Sequence, residues 1–130
     1  MSTYNWLDAE AAIGRDLQRL TTEGGSGNFI IVSVGDTYIQ FAGSRGSSQI
    51  NCEAVGNDYL DRQHRLPPEK IDQLEKLQFD LQDEPPNFVR EFAVATEEDA
   101  RETARLALDI LERIYGCART SAVNIELTLE

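Results

Sequence analysis

The sequence is poor in the residues that build metal centres and nucleophilic active sites. It has one histidine, His64, and two cysteines, Cys52 and Cys117. One imidazole cannot form the cluster around which a zinc site would be assembled, and the polar run that contains His64 predicts a solvated loop residue. The cysteines lack metal-ligand spacing, so we expect two small buried residues, with a disulfide or a reactive thiol as the alternative. No metal, cofactor or catalytic residue is predicted.

Basic residues and long apolar runs are also scarce. Lysine and arginine number 12 against 23 acidic residues, which gives a formal net charge of -11. Such a charge repels phosphate backbones and anionic lipid, so neither nucleic acid nor a membrane is a predicted partner. No apolar run approaches the roughly 20 residues that span a bilayer. The N-terminus lacks the basic and apolar segments of an export signal, and we therefore expect a cytoplasmic protein.

Length and composition predict one folded domain over residues 1–130. Hydrophobic residues make up 41% and charged residues 27% of the chain, which is ordinary for a globular protein. At this size folding removes roughly two thirds of the unfolded chain's surface from water, enough for a single core. The sequence therefore predicts one α+β domain.

Three strand-like runs follow one another in the first half of the chain. Residues 28–34 are rich in β-branched and aromatic side chains, Gly35-Asp36 is a hairpin-type turn, and residues 37–42 run back. After a polar loop, residues 49–55 alternate apolar and polar side chains with period two. These runs predict an antiparallel meander.

Amphipathic helices are predicted on both sides of the meander. Apolar residues recur at spacings of three and four in each of them. Asn5 is the expected N-cap of the first, Pro67 opens the second, and Thr96 caps the third, which Gly116 ends. The predicted helices span 5–22, 67–78 and 96–116.

Further strands are predicted between and after the helices. Phe79 and Leu81 form an apolar pair that is compatible with an extended segment, and residues 87–94 and 123–130 alternate with period two and are the predicted strands. The last strand is expected at a sheet edge, where an unpaired edge or apolar stripe would be compatible with a homodimer. The order of elements predicts an antiparallel sheet of about five strands with helices mainly on one face.

A succession of short motifs resembles a known family. The motifs are YIQFAG at 38–43, EAVGNDYL at 53–60, LPPE at 66–69, NFVRE at 87–91 and IYG at 114–116. Together they resemble the actinobacterial TY-Chap domains, which are grouped with type III secretion chaperones and YbjN-like proteins. The similar stretch covers about residues 29–116. Related domains typically carry Gly-Trp after the second helix, where this chain has Gln78-Phe79.

The resemblance implies a fold and a type of function. It implies an α+β domain with a twisted antiparallel sheet, like that of type III secretion chaperones and usually dimeric. It also implies binding of peptides or partner proteins, without enzyme activity. The predicted function is therefore a non-catalytic, chaperone-like binding module.

The sheet supplies the candidate binding surface. On the second and third strands one side is apolar and should face the helices, while the other side is mixed and continues to Val55. The mixed side is the expected partner surface, at the exposed face or an edge, although simple hydration of that face is the alternative. The predicted partner-binding residues are Tyr38, Gln40, Asn51, Glu53, Asn57 and Tyr59.

Two other function classes are compatible with the composition. The first is an acidic immunity or inhibitor protein that neutralises a basic partner through salt-sensitive binding. Its contact patch would be drawn from Glu97, Glu98, Asp99 and Glu102, or from Asp83 and Glu84. The second is an enzyme using a carboxylate pair such as Glu53 and Asp58, but no sequence feature places such a pair in an apolar pocket.

Overall fold

A seven-stranded antiparallel sheet forms the centre of the computed structural model, which describes residues 1–130. The strands are β1 (Ser2–Tyr4), β2 (Asn28–Val34), β3 (Thr37–Gly43), β4 (Gln49–Ala54), β5 (Asp80–Leu81), β6 (Phe88–Ala93) and β7 (Val123–Thr128). The helices are α1 (Trp6–Thr22), α2 (Pro68–Lys76) and α3 (Glu97–Asp109). The spatial order of the strands is β1-β7-β2-β3-β4-β6-β5. The predicted α+β class is confirmed, and the sheet has two strands more than the expected five.

The position of the last strand differs from the prediction. β7 lies between β2 and β1, because Ser2–Tyr4 pairs with residues 123–125. A three-residue strand is too short to show an alternating pattern, so β1 leaves no signal in the sequence. The expectation that β7 forms an edge is therefore wrong over residues 123–125. The sheet instead ends in the short strands β1 and β5.

All three helices pack on one face of the sheet. Inward side chains of the central strands, such as Ile30, Phe41 and Ile50, belong to the same buried cluster as Leu17 of α1 and Leu111 beyond α3. Strand alternation produces this separation, since every second side chain points to the same face. The opposite face contributes no residue to that cluster.

Local caps fix the ends of the first and third helices. The Asn5 side chain accepts the Asp8 amide at 2.9 Å, as expected for the N-cap of α1. At α3, Thr96 Oγ1 accepts the Asp99 amide at 3.0 Å while the Asp99 carboxylate accepts the Thr96 amide at 3.1 Å. This reciprocal pair is a capping box. α3 then continues through one π-helical turn, Ile110–Ile114, and the chain reverses at Gly116 with φ +77°.

A buried asparagine joins the end of α1 to the C-terminus. Asn28 Nδ2 donates to the carbonyl oxygens of Leu20 and Glu23, at 3.0 and 2.8 Å. Its Oδ1 accepts the amides of Gly25 and Glu130, each at 3.1 Å. One side chain thus satisfies four backbone groups, and it holds the glycine-rich loop against the last residue of the chain.

The end of α2 shows how the chain accommodates Gln78-Phe79 where related domains carry Gly-Trp. The Phe79 amide donates to Leu74 O at 3.0 Å and the Gln78 amide to Glu75 O at 2.9 Å. This is a Schellman pattern, and Gln78 occupies its left-handed position with φ +70°. Glycine adopts that conformation without cost, so the family's usual residue fits this backbone better than glutamine does. Phe79 replaces the tryptophan and is fully buried.

Candidate functional site

The face of the sheet opposite the helices is the candidate site, and we call it the open face. Its side chains follow from the strand registers, and each is half-buried or exposed. None of them belongs to the core cluster. The residues of the open face are Thr3, Phe29, Ile31, Ser33, Tyr38, Gln40, Ala42, Gln49, Asn51, Glu53, Asp80, Val89, Glu91, Ala93, Asn124, Glu126 and Thr128.

The structure brings four of the six predicted partner-binding residues onto the open face. Gln40 lies directly opposite Glu53 on the neighbouring strand, and Asn51 lies opposite Ala42. Tyr38 is on the same side of β3 as Gln40. All four predicted residues are half-buried, which leaves part of each side chain accessible. Their alternation therefore predicted the face correctly, and their role in partner binding stays a prediction.

A buried asparagine that the sequence analysis did not single out organises one end of this face. Asn87 Nδ2 donates to the Tyr38 hydroxyl at 3.2 Å and lies 3.5 Å from Glu53 Oε1. Its Oδ1 accepts the Gly56 amide at 2.8 Å. The available signals were two preceding prolines and its place at the start of the NFVRE motif, and neither indicates such contacts. Asn87 therefore links β3, β4 and the start of β6.

At the same end of the face, the side chain of Val55 is covered by neighbouring segments of the chain. The sequence placed Val55 in the mixed set with Asn51 and Glu53, but the side chain is fully buried. β4 ends at Ala54, and the Val55 carbonyl oxygen accepts the Tyr115 hydroxyl at 2.6 Å. The expectation for Val55 is therefore wrong, because the chain leaves the sheet before that position can face solvent.

Gly56 is required by the close approach of two backbones at this point. A Cβ on Gly56 would collide with the carbonyl oxygen of Pro86. The residue is itself buried, and its amide is bound by Asn87. No other residue type fits without moving the segment before β6, so the turn after β4 is held in one position.

The other two predicted binding residues lie in the turn after β4. Asn57 Nδ2 donates to Leu66 O at 3.1 Å, and Asn57 Oδ1 accepts the Leu66 amide at 2.7 Å. Both ends of this side-chain amide are thus engaged in closing the loop 57–66. Tyr59 is 51% exposed and is one of the few large exposed apolar side chains. The structure does not bring this pair onto the open face.

The charge on the open face has one sign. Its charged residues are Glu53, Asp80, Glu91 and Glu126, and no lysine or arginine shares the face. Arg90 of β6 points the other way: its Nη1 donates to Leu77 O at 2.9 Å and its guanidinium lies 4.1 Å from the Phe92 ring centroid. The open face is therefore an apolar and amide-rich surface with an acidic border.

A second concave surface lies between α2 and the end of α3. It encloses about 310 Å³ and its apolar wall consists of Leu77, Leu106, Ile110 and Ile114. Lys76 and Arg113 as well as Asp109 and Gln73 complete the lining. Its lining thus contains two basic side chains and one acidic side chain.

One cluster has the composition of a cation site. Ligand atoms of Asp36, Asp61 and His64 lie within 4.8 Å of one another. His64 is exposed, as predicted, and its Nδ1 lies 3.2 Å from Asp36 Oδ1. Desolvation acts to raise the pKa of the Asp36 carboxyl, but hydrogen bonds from the Asp61 amide and His64 outweigh it and hold the pKa below its usual value. Asp36 is thus bound by its two neighbours, and these contacts engage the backbone amide of Asp61 but not its carboxylate.

Both cysteines are free. Cys52 is buried in the core, as predicted, and desolvation strongly raises the pKa of its thiol. Cys117 is only half-buried, and desolvation also raises its pKa. A thiol whose pKa is raised carries little thiolate at neutral pH. Neither cysteine therefore has the environment of an activated nucleophile.

The acids considered for other functions have different surroundings. Glu53 is half-buried on β4 and Asp58 is exposed in the following turn, so no apolar pocket encloses the pair. In the acidic patch, Asp99 accepts amides at the start of α3 and Glu97 pairs with Arg101 at 3.6 Å. Part of that patch therefore stabilises the helix, and no observation favours an immunity protein.

No helix is both long and apolar enough to cross a bilayer.

Comparisons with known proteins identify the family. No curated protein matches the chain, and no solved structure matches it. The model of one family, described as T3SS (YopN, CesT) and YbjN peptide-binding chaperone 3, or TY-Chap3, matches residues 3–127. The match includes the first helix and the last strand, which lie outside the stretch of resemblance. The chain therefore belongs to the TY-Chap3 family of peptide-binding chaperones.

Proposed function

We propose that this chain is a non-catalytic, single-domain binding module that engages a peptide segment of a partner protein through the open face. The observation that carries the proposal is the placement of all three helices on one side of the sheet. Phe29, Ile31 and Val89 on the other side remain half-buried, with no helix over them. Membership of a peptide-binding chaperone family supports binding as the function.

The composition of the open face suits polypeptide recognition. When a partner covers the apolar side chains at its centre, their removal from water makes the free energy of binding more favourable. Gln40, Asn51 and Gln49 can donate and accept hydrogen bonds, and Tyr38 adds an aromatic ring with a polar tip. Such a mixture resembles the core and rim of protein interfaces more than the enclosed pocket of an enzyme.

A face is favoured over an edge as the docking surface. Strand addition requires a row of free backbone groups along an edge strand. Each edge of the sheet is short and interrupted: one consists of β1 and residues 126–128 of β7, and the other of β5 and residues 90–93 of β6. A partner strand would find few pairing positions along either one, whereas the face spans five longer strands.

Several further properties belong to the proposal. The module acts in the cytoplasm without nucleic-acid or membrane partners, consistent with its net charge of -11. A homodimer is included, but pairing through residues 123–125 of β7 is unsuitable because β1 already occupies that side. Sedimentation equilibrium over a tenfold concentration range measures the oligomeric state directly.

The test combines peptide selection with mapping. Peptides selected from a random displayed pool on the wild-type chain are added to ¹⁵N-labelled protein, and amide shifts are recorded. We expect the shifts to concentrate at Tyr38, Gln40, Asn51 and Glu53. Ala42→Trp blocks the open face, while Ala11→Trp places the same ring on the exposed side of α1 as a matched control.

The expected result is loss of binding in the Ala42→Trp variant alone. Both positions are away from the core cluster, so neither substitution should unfold the chain. Equal binding by the two variants, or shifts confined to the helical side, would show that the open face is not the binding surface.

A further inference from the structure

We infer that the segment bound by the open face is a cationic amphipathic helix, with lysine or arginine on both margins of its apolar stripe. This inference rests on the proposed function and specifies the chemistry of its partner. Its basis is the arrangement of carboxylates around the apolar centre of the face.

The apolar centre lies on β2 and β3. Phe29 is opposite Ala42 in this hairpin, and Ile31 is opposite Gln40. Glu126 of β7 borders the centre on one side, directly opposite Ile31. On the other side, Glu53 of β4 lies opposite Gln40. The apolar strip therefore has a carboxylate at each margin.

The acidic border continues outward on one side. Glu91 of β6 is opposite Asn51, and Asp80 of β5 is opposite Val89. No basic residue on the face neutralises these four carboxylates. A cationic partner would both pair with them and gain from the field of a chain whose net charge is -11.

The need to pair the backbone amides and carbonyls of the bound segment favours a helix as its conformation. A segment that lies on a sheet face meets only side chains, so its own amides and carbonyls must be paired within the segment. A helix provides those pairs internally, as α1 does on the opposite side of this sheet. An extended segment would leave its backbone groups unpaired against the apolar centre.

The dimensions agree with a helix aligned along β2 and β3. The distance from β7 to β4 covers three strand spacings, about 14 Å. A helix is about 10–12 Å wide with its side chains, so long cationic side chains on both margins reach Glu126 and Glu53. The seven residues of β2 extend about 20 Å, which corresponds to about 13 helical residues.

A second copy of this chain is a poor occupant of the face. Two-fold symmetry would bring the open face against itself. Both faces in that interface would contribute Glu53, Glu91 and Glu126, and neither would contribute a basic residue. Like charges at an interface oppose association, so the acidic border disfavours this dimer.

The test uses two designed helical peptides of about 14 residues that share one Leu/Phe stripe. One carries lysine on both margins and the other carries glutamate. Binding to the full chain is measured by fluorescence anisotropy at low and high sodium chloride. The variant is Glu53→Gln/Glu91→Gln/Glu126→Gln. Its matched control is Glu75→Gln/Glu98→Gln/Glu102→Gln, which removes the same charge from exposed positions on α2 and α3.

We expect the lysine peptide to bind and the glutamate peptide to bind at least tenfold more weakly. The open-face variant should lose about tenfold in affinity for the lysine peptide, which is about 1.4 kcal/mol shared among three solvent-accessible ion pairs. The control should lose less than about twofold. Added salt should weaken binding to wild type more than binding to the open-face variant.

Equal affinities for the two peptides, or equal losses in the two variants, would overturn the inference. So would sedimentation data showing a wild-type dimer that Ala42→Trp dissociates. If selected peptides map to the open face but show no cationic excess, the inference fails while the proposed function stands. If they map elsewhere, the proposed function fails as well.

Discussion

Asn87 donates a hydrogen bond to the Tyr38 hydroxyl at 3.2 Å, joining a residue just before β6 to the middle of the sheet. The same amide accepts the buried Gly56 N–H, so one side chain supports both the turn after β4 and the tyrosine of the open face. This contact connects the stability of the fold to the shape of the candidate binding surface.

Replacing this asparagine should destabilise the protein. Asn87→Ala leaves the Gly56 amide without its partner in a buried position, and we expect a loss of about 2 kcal/mol in the free energy of unfolding. Asn51→Ala is the control, since Asn51 is half-buried on the same face, makes no side-chain hydrogen bond within the chain and should cost below about 0.5 kcal/mol. Urea denaturation measures both. Similar losses for the two variants would contradict the role assigned to Asn87.

The left-handed residue at the end of α2 allows a stabilising substitution. Gln78→Gly relieves a φ of +70°, and we expect a net gain of about 0.5–1 kcal/mol after the added flexibility of the unfolded chain is counted. Gln73→Gly is the matched control: it lies within α2 and should lose about 1 kcal/mol. Thermal and urea unfolding of both variants provide the measurement. Two changes of the same sign would refute this account of the turn.

The capping box of α3 should make stability depend on acid pH. Hydrogen bonds from the Ala95 and Thr96 amides hold the pKa of the Asp99 carboxyl below its ordinary value. A lowered folded-state pKa contributes stability above the unfolded pKa, and that contribution is lost as pH falls through the folded value. Asp99→Asn should therefore be less stable than wild type at pH 7, and the difference should shrink below about pH 4.

A control for this pH dependence lies three residues further along α3. Glu102→Gln removes the same charge from an exposed position that forms no cap. Its stability should follow the wild-type pH profile closely. Urea midpoints measured between pH 2.5 and pH 7 compare the three proteins. A difference between Asp99→Asn and wild type that stays constant over this range would argue against the capping carboxylate.

The two thiols should differ in reactivity. At pH 8 in the native protein, Cys52 should resist a disulfide reagent, because burial raises its pKa and blocks access. Cys117 is half-buried and should react, though more slowly than a free thiol. Cys52→Ser and Cys117→Ser assign the two phases, and both thiols should react rapidly in denaturant. Rapid labelling of native Cys52 would show that the core opens around β4.

The sequence predicted the elements whose signals are local. Alternation over β2 to β4 and the turn at Gly35 specify which side chains face the helices, because a one-residue shift would bury the polar set. The caps at Asn5 and Thr96 act within three residues, so they were also visible. The same alternation placed Tyr38, Gln40, Asn51 and Glu53 together on one face.

Longer-range contacts escaped prediction for a physical reason. β1 is a strand only because β7 pairs with it, since three residues have no periodicity of their own. An extended segment was expected around β5, but its pairing with β6 was not. The roles of Asn28 and Asn87 depend on acceptors and donors up to 102 and 49 residues away in the chain. Val55 became buried because the sheet ends one residue earlier than its pattern indicated.

The amino-acid sequence by itself determined the α+β class, the helix boundaries near their caps and the division of the strands into two faces. These properties depend on side-chain period and on bonds between near neighbours. Tertiary structure alone decided that β7 lies inside the sheet and that carboxylates from four strands share one face, two of them beside its apolar strip. Strand order and register bring those groups together, and neither is encoded in a local pattern.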